Sequence, residues 1–144
     1  MYRAERTADV AETASLGAGT VVWQLAQVRE HAVLGRNCSV GRGAYVGTGV
    51  IIGDNCKLQN YALVYEPAVL DDGVFIGPVV VLTNDRYPRA ITPEAHLKGG
   101  DDWAAVGVTV NRGPSIGARA VCADPVPVGA WASVEFHRPW PARS

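Results

Sequence analysis

The chain has 144 residues, 48% of them hydrophobic and 19% charged, with a formal net charge of −1. That length suits one domain with a sizeable core, and the composition excludes a disordered chain. Near-neutral charge leaves no electrostatic footprint for nucleic acid, and the longest apolar runs, such as VVVL, are far too short to span a bilayer.

The first segment, MYRAERTADV, carries no apolar h-region, so nothing in it marks export. A strict rhythm starts at its last residue. Val10, Leu16, Val22, Val28, Leu34, Val40, Val46, Ile52, Leu58, Val64, Leu70, Ile76 and Leu82 stand six apart without a break. A helix of 3.6 residues per turn cannot keep that phase. A second column lies two residues before the aliphatic one and is small or β-branched: Thr20, Ala26, Ala32, Cys38, Ala44, Val50, Cys56, Ala62, Ala68, Val74 and Val80. Residues two apart on a strand share a face, so both columns point inward. The intervening residues, among them GRN, GRG, GTG, GDN and DDG, suit turns and positive φ. Each hexapeptide is therefore expected to be a short strand plus a corner, and the series to wind into an all-β solenoid. An antiparallel sandwich would not hold a six-residue phase over so many repeats.

Three cysteines, Cys38, Cys56 and Cys122, are an odd number at no zinc-like spacing, which suggests a reduced, cytoplasmic protein with no metal site. Cys38 and Cys56 fall in the same inward column, eighteen residues apart.

After Leu82 the rhythm lapses. The stretch TNDRYPRAITPEAHLKGGDDW, from about 83 to 103, is polar and charged, and is expected to leave the coil as a long loop. A loop of that length in a compact domain is a natural home for chemistry. The hexad returns out of phase with Val110, Ile116, Cys122, Val128 and Val134. The expected organisation is one domain, with coils over about 10–82 and 104–134, the loop at 83–103, and an irregular tail over 135–144. The tail, EFHRPWPARS, has two prolines and puts Trp140 where an inward aliphatic would fall. Phe136, Trp140 and the prolines are expected to fold over the open end of the solenoid, the alternative being a disordered tail.

This hexad, with VVWQLAQVREHAVLG, IIGDNCKLQN, VYEPAVLDDGVFIGP and VLTNDRYPR, resembles the hexapeptide-repeat acyltransferases of left-handed parallel β-helix fold. The similarity runs from about Thr7 to Ser133. The run from KLQN through TNDRYPR is similar to the branch that acts on nucleotide-linked 3-amino sugars. The resemblance implies triangular coils of eighteen residues and a left-handed turn. It also implies acetyl-CoA as co-substrate and a UDP- or dTDP-linked amino sugar as acceptor, for bacterial polysaccharide or deoxysugar biosynthesis. A homotrimer with active sites between chains follows from it too. With eighteen-residue coils, Val33, Ile51 and Val69 stack on one outer face, an aliphatic ladder that a lone chain should not expose. Relatives usually continue for another coil that lines the groove for the CoA arm. The alternative reading is therefore a catalytically impaired or non-catalytic scaffold with a truncated CoA site.

A sugar amine is less basic than that of lysine, so positioning rather than a strong base is expected to supply most of the acceleration. None of His31, His96 and His137 lies in TNDRYPR or its coil, and the resembling branch requires no histidine. Scattered histidines also argue against a zinc enzyme of the carbonic anhydrase type on this fold. Asn84 is the expected catalytic residue: its amide oxygen can accept a hydrogen bond from the amine and orient the lone pair. Equally, it could cap the turn that leaves the coil. Asn60, Glu66, Asp85, Arg86 and Arg89 are the expected substrate-binding residues, the two arginines for the diphosphate. Both arginines could instead pair with Asp85 or Glu94. Arg112 and Arg119, on the returning coils, are candidates for the CoA phosphates.

Overall fold

The computed structural model describes residues 1–123 and 127–135. Two-residue strands alternate with four-residue corners along almost the whole chain. They stack as three parallel sheets, one per side of a triangular prism. The first face begins with Arg3–Ala4 and ends with Ser133–Val134, the second runs from Asp9–Val10 to Val121–Cys122, and the third from Ser15–Leu16 to Thr109–Val110. Except where the pairing spans the loop, each strand pairs in register with the strand eighteen residues on, as Val33 does with Ile51 and Ile51 with Val69. This is the three-sided parallel solenoid of the left-handed β-helix.

The two inward columns make the core. From Val22 to Leu82 every aliphatic of the six-residue series is at most 2% exposed. Burying such a side chain stabilises the fold by about 1.5–3 kcal/mol, and the hexad repeats that gain in every coil. Cys38, Cys56 and Cys122 are buried free thiols. Thr20 and two of these thiols share a job that smallness alone did not reveal. Thr20 Oγ1 donates to the Gly35 carbonyl at 2.8 Å, Cys38 Sγ to that of Gly53 at 3.1 Å, and Cys56 Sγ to that of Asp71 at 3.1 Å. The two thiols each satisfy a corner carbonyl of the coil above that takes no backbone donor among the described residues, whereas the Gly35 carbonyl also accepts from Gly17 N at 3.1 Å.

The corners bend through positive φ at their third residue, as the composition suggested, with Asn37, Asn55 and Gly73 in the corner between the third and first faces. The corner between the first and second faces departs from that composition. There Leu25, Tyr61, Val79 and Arg119 adopt φ of 62°, 60°, 59° and 65°. A β-branched residue is the worst fit to this region, and Val79 gains little from burial, being 47% exposed. Val79→Asn is therefore expected to stabilise the protein by about 1 kcal/mol, read as a rise in the thermal midpoint. A lower midpoint would show that the valine's packing outweighs its backbone strain.

The loop interrupts the third face. Val69 pairs with Thr109, forty positions away instead of eighteen, so 22 residues are inserted. The coil resumes at Gly107, where a Cβ would lie 2.5 Å from the Pro67 carbonyl carbon, and Val108 is fully buried. Within the insertion, Ile91 bridges Leu97 in antiparallel fashion and residues Gly100–Asp102 form a single 3-10 turn. Among the described residues no helix is long and apolar enough to cross a membrane. Phe136 and Trp140, expected to cap the open end, lie outside the described residues.

Candidate active site

Asn84 sits where the chain leaves the coil, in the corner between the second and third faces. Its Nδ2 donates to the Glu66 carbonyl of the coil below at 2.7 Å. Only the amide nitrogen can donate, so this bond fixes which way the carboxamide points. Oδ1 accepts no hydrogen bond from the described residues. The Asn84 carbonyl in turn accepts from Val106 N at 2.9 Å, which closes the neck of the loop. One residue thus ties the loop neck to the coil through both its side chain and its backbone. The capping role and the chemical role considered from the sequence use different atoms of the same side chain.

Glu66 lies directly below Asn84, but its carboxylate folds down into the next coil. Corner carboxylates and amides elsewhere make the same fold. Asp54 Oδ1 accepts from Arg36 N at 2.8 Å, Asn60 Oδ1 from Arg42 N at 2.9 Å, and Asp72 Oδ1 from Asp54 N at 2.7 Å. In each case a glycine one coil lower leaves room for the side chain. Gly47 does this for Glu66, since a Cβ there would collide with Oε1. With one more methylene than aspartate, Glu66 overshoots, and its buried Oε1 is left without a hydrogen-bond partner. Such an orphan acceptor is uncommon in a folded chain. The surroundings are aromatic: Tyr45 and Tyr65 approach with ring centroids 5.3 Å apart. Burial and the Glu66 carboxylate push the Tyr45 phenol up from its ordinary range, so it stays protonated.

Asn60 belongs to a different edge of the prism. It lies in the corner between the first and second faces, beside Trp23, Gln24 and Arg42, and its side chain is engaged with Arg42 N. Of the expected residues, then, Glu66 and Asn84 share a corner and Asn60 does not. Arg112 and Arg119 also stand on separate edges, their corners joining the third face to the first and the first to the second. Arg119 holds its corner through N–H to the Pro78 carbonyl at 2.9 Å.

The loop carries the remaining candidates. Asp85 Oδ1 accepts from Tyr87 N at 3.2 Å, a local turn contact. Arg86 and Arg89 are exposed. Neither makes an ion pair within 4.0 Å among the described residues, so pairing with Asp85 or Glu94 does not hold the loop. The two arginines line different clefts. Arg86 faces one beside Asn84, with Tyr87, Lys98, Trp103 and Val106. Arg89 lines the other, with Ile91, Pro93 and Glu94. Lys98 borders both, and sequence reasoning missed it because a loop without a period gives no clue to which side chains converge. His31 occupies a positive-φ corner, His96 is exposed in the loop, and neither lines the cleft beside Asn84.

Comparison with known proteins agrees with this architecture. Residues 32–61 match the family model described as the hexapeptide repeat of succinyl-transferase. The match lies within the coils and agrees with the left-handed β-helix fold. No curated protein matches it. Among solved structures, WeeI from Acinetobacter baumannii AYE is similar with a TM-score of 0.65 at 18% identity, covering 86% of this chain and 50% of that one. A histidine-to-asparagine mutant of perosamine N-acetyltransferase from Caulobacter crescentus, in complex with CoA and GDP-perosamine, gives a TM-score of 0.51 at 20% identity, covering 89% and 48%. The acetyltransferase domain of PglB from Neisseria gonorrhoeae FA1090 gives 0.51 at 20%, covering 90% and 52%. The chain spans about half the length of these structures. At such identities the likeness is one of fold.

Proposed function

We propose that the protein is a cytoplasmic acyl-CoA-dependent N-acetyltransferase acting on the amino group of a nucleotide-linked amino sugar. The observation that carries this reading is Asn84, whose Nδ2 is held by the Glu66 carbonyl at the neck of the loop, leaving Oδ1 as an acceptor unused by the described residues. An acceptor so held can take one N–H of an incoming amine and aim the nitrogen lone pair at a thioester carbonyl. The nitrogen–carbon bond forms, the carbon–sulfur bond breaks, and the amine proton leaves with the thiol product or with water. No strong base is needed for an amine that is partly neutral near pH 7. Similar structures support the substrate class, since one carries CoA together with a nucleotide-linked amino sugar.

The stretch from KLQN to TNDRYPR favours UDP or dTDP as the nucleotide. The sugar in the Caulobacter structure is GDP-linked, so a substrate panel includes all three. The Val33, Ile51 and Val69 ladder on the third face, 45%, 50% and 39% exposed in one chain, supports a homotrimer in which that face is covered. The corner holding Asn84 borders this face, which would bring the site close to a neighbouring chain. The test is acetylation of UDP-, dTDP- and GDP-linked amino sugars with acetyl-CoA, followed by thiol release. If no sugar is turned over and acetyl-CoA binds only above roughly 1 mM, the protein is a non-catalytic scaffold instead.

A further inference from the structure

Three buried thiols take no part in the proposed chemistry, and two of them are neighbours. Cys38 and Cys56 hold the same position in consecutive coils, in the corner where the third face turns into the first. The strands that follow them run in parallel register, Ser39 beside Lys57, and Ser39 N donates to the Cys56 carbonyl at 3.0 Å. Strands so paired lie about 4.8 Å apart, within the Cα separation of about 4.4–6.8 Å that a disulfide spans. Both side chains belong to the inward column, at 2% and 0% exposure. Cys122 stands apart from them on the second face, beside Leu82. The residues just before the pair, Asn37 and Asn55, are exposed at positive φ, so one corner residue separates each thiol from solvent.

The two sulfurs also interact. A hydrogen bond from the Cys56 thiol draws the Cys38 thiol down to about 7, with the Thr20 hydroxyl helping and burial and Asp54 opposing. The same contact and burial push Cys56 up, so the proton of the pair stays on Cys56. Burial pushes Cys122 up. The thiolate is the attacking form, and here its resolving partner is already in place. We infer that Cys38 and Cys56 are a reversible oxidation-sensitive pair, which a peroxide closes to a disulfide across neighbouring coils. The Cys38 sulfur attacks one peroxide oxygen, the O–O bond breaks, and hydroxide leaves and takes up the Cys38 proton as water. The Cys56 sulfur then attacks the sulfenic sulfur of Cys38. The S–O bond breaks, and the second hydroxide leaves with the Cys56 proton as water. Two thiols lose two electrons and two protons, and the peroxide becomes two waters. Small peroxide reaches the pair by local opening of the corner, without global unfolding. Closure removes the S–H donors from the Gly53 and Asp71 carbonyls, each 3.1 Å away in the reduced chain. Leaving those carbonyls unpaired is costly, which makes the disulfide easy to reduce. In a reducing compartment the pair therefore rests as thiols and closes transiently.

Hydrogen peroxide applied to the folded full-length protein tests the pair, with remaining thiols alkylated afterwards in denaturant. Arg36, Arg42 and Lys57 let trypsin place the two cysteines on separate peptides. One disulfide joining those peptides is expected, with Cys122 alkylated. Excess reduced glutathione should return all three thiols. In Cys56→Ser the reaction should stop at a Cys38 sulfenic acid that dimedone traps, and in Cys38→Ser the oxidation of Cys56 should slow by about tenfold or more. Cys122→Ser should leave disulfide formation within about twofold of wild type. Folded wild-type protein that keeps all three thiols after peroxide, or that joins Cys122 instead, would overturn the pair. A Cys38–Cys56 disulfide that glutathione cannot open would overturn its reversibility.

Discussion

Asn84→Ala is expected to lower kcat by about tenfold to a thousandfold, the range for losing a contact that positions a reacting group. Alanine removes Oδ1, so the amine approaches the thioester without its orienting acceptor. It also removes the Nδ2 bond to the Glu66 carbonyl, 2.7 Å long. That loss costs about 0.5–1.5 kcal/mol of stability, too little to unfold a solenoid whose core is continuous. The backbone bond from Val106 N to the Asn84 carbonyl survives, so the loop neck stays closed. Circular dichroism and a thermal midpoint establish folding before rates are compared. A folded variant with unchanged kcat would confine Asn84 to its corner role and remove it from the chemistry.

Charge on the third face is expected to break the proposed trimer. Val33, Ile51 and Val69 stand directly above one another in neighbouring strands, about 4.8 Å apart. They form an outward aliphatic row on a chain whose inward row is already complete. Each such side chain gains up to about 1.5–3 kcal/mol when a partner covers it fully, and less here because each is already half-covered. In the proposed trimer, three-fold symmetry would repeat the gain at every contact. Substituting all three by Asp removes it and would bury unpaired carboxylates, so light scattering should report monomers, or the protein should become insoluble. Three stacked carboxylates also repel one another within one chain. Ile51→Asp alone therefore gives the cleaner comparison, with a folded monomer expected. Trimers of wild-type stability in either variant would show that this face is not the contact.

The scaffold was legible in the sequence because the hexad is a direct imprint of packing. A residue every six positions must be aliphatic, and any coil that broke the rule would leave a hole in the core. The site was legible only in part. Asn84 drew attention as a polar residue at the point where the rhythm failed, and it stands at the loop neck. Grouping Asn60 with it missed a relation that residue numbers hold. Glu66 is eighteen residues before Asn84 and so shares its corner, whereas Asn60 is one hexad short of Glu66 and sits one corner earlier. The donor role of Thr20, Cys38 and Cys56 stayed hidden because the small column was read for size alone. Lys98 and Trp103 could not be found by any period. Their convergence depends on the Ile91–Leu97 bridge and on how the insertion folds back to Gly107.

Thiol release from acetyl-CoA in the presence of nucleotide-linked 3-amino sugars, with the N-acetyl product confirmed by mass, bears most directly on the proposed activity. Turnover is expected with at least one UDP- or dTDP-linked sugar, one equivalent of free thiol appearing per N-acetylated product, and Asn84→Ala should depress it. No thiol release with any UDP-, dTDP- or GDP-linked amino sugar, from protein that is folded and assembled, would contradict an N-acetyltransferase.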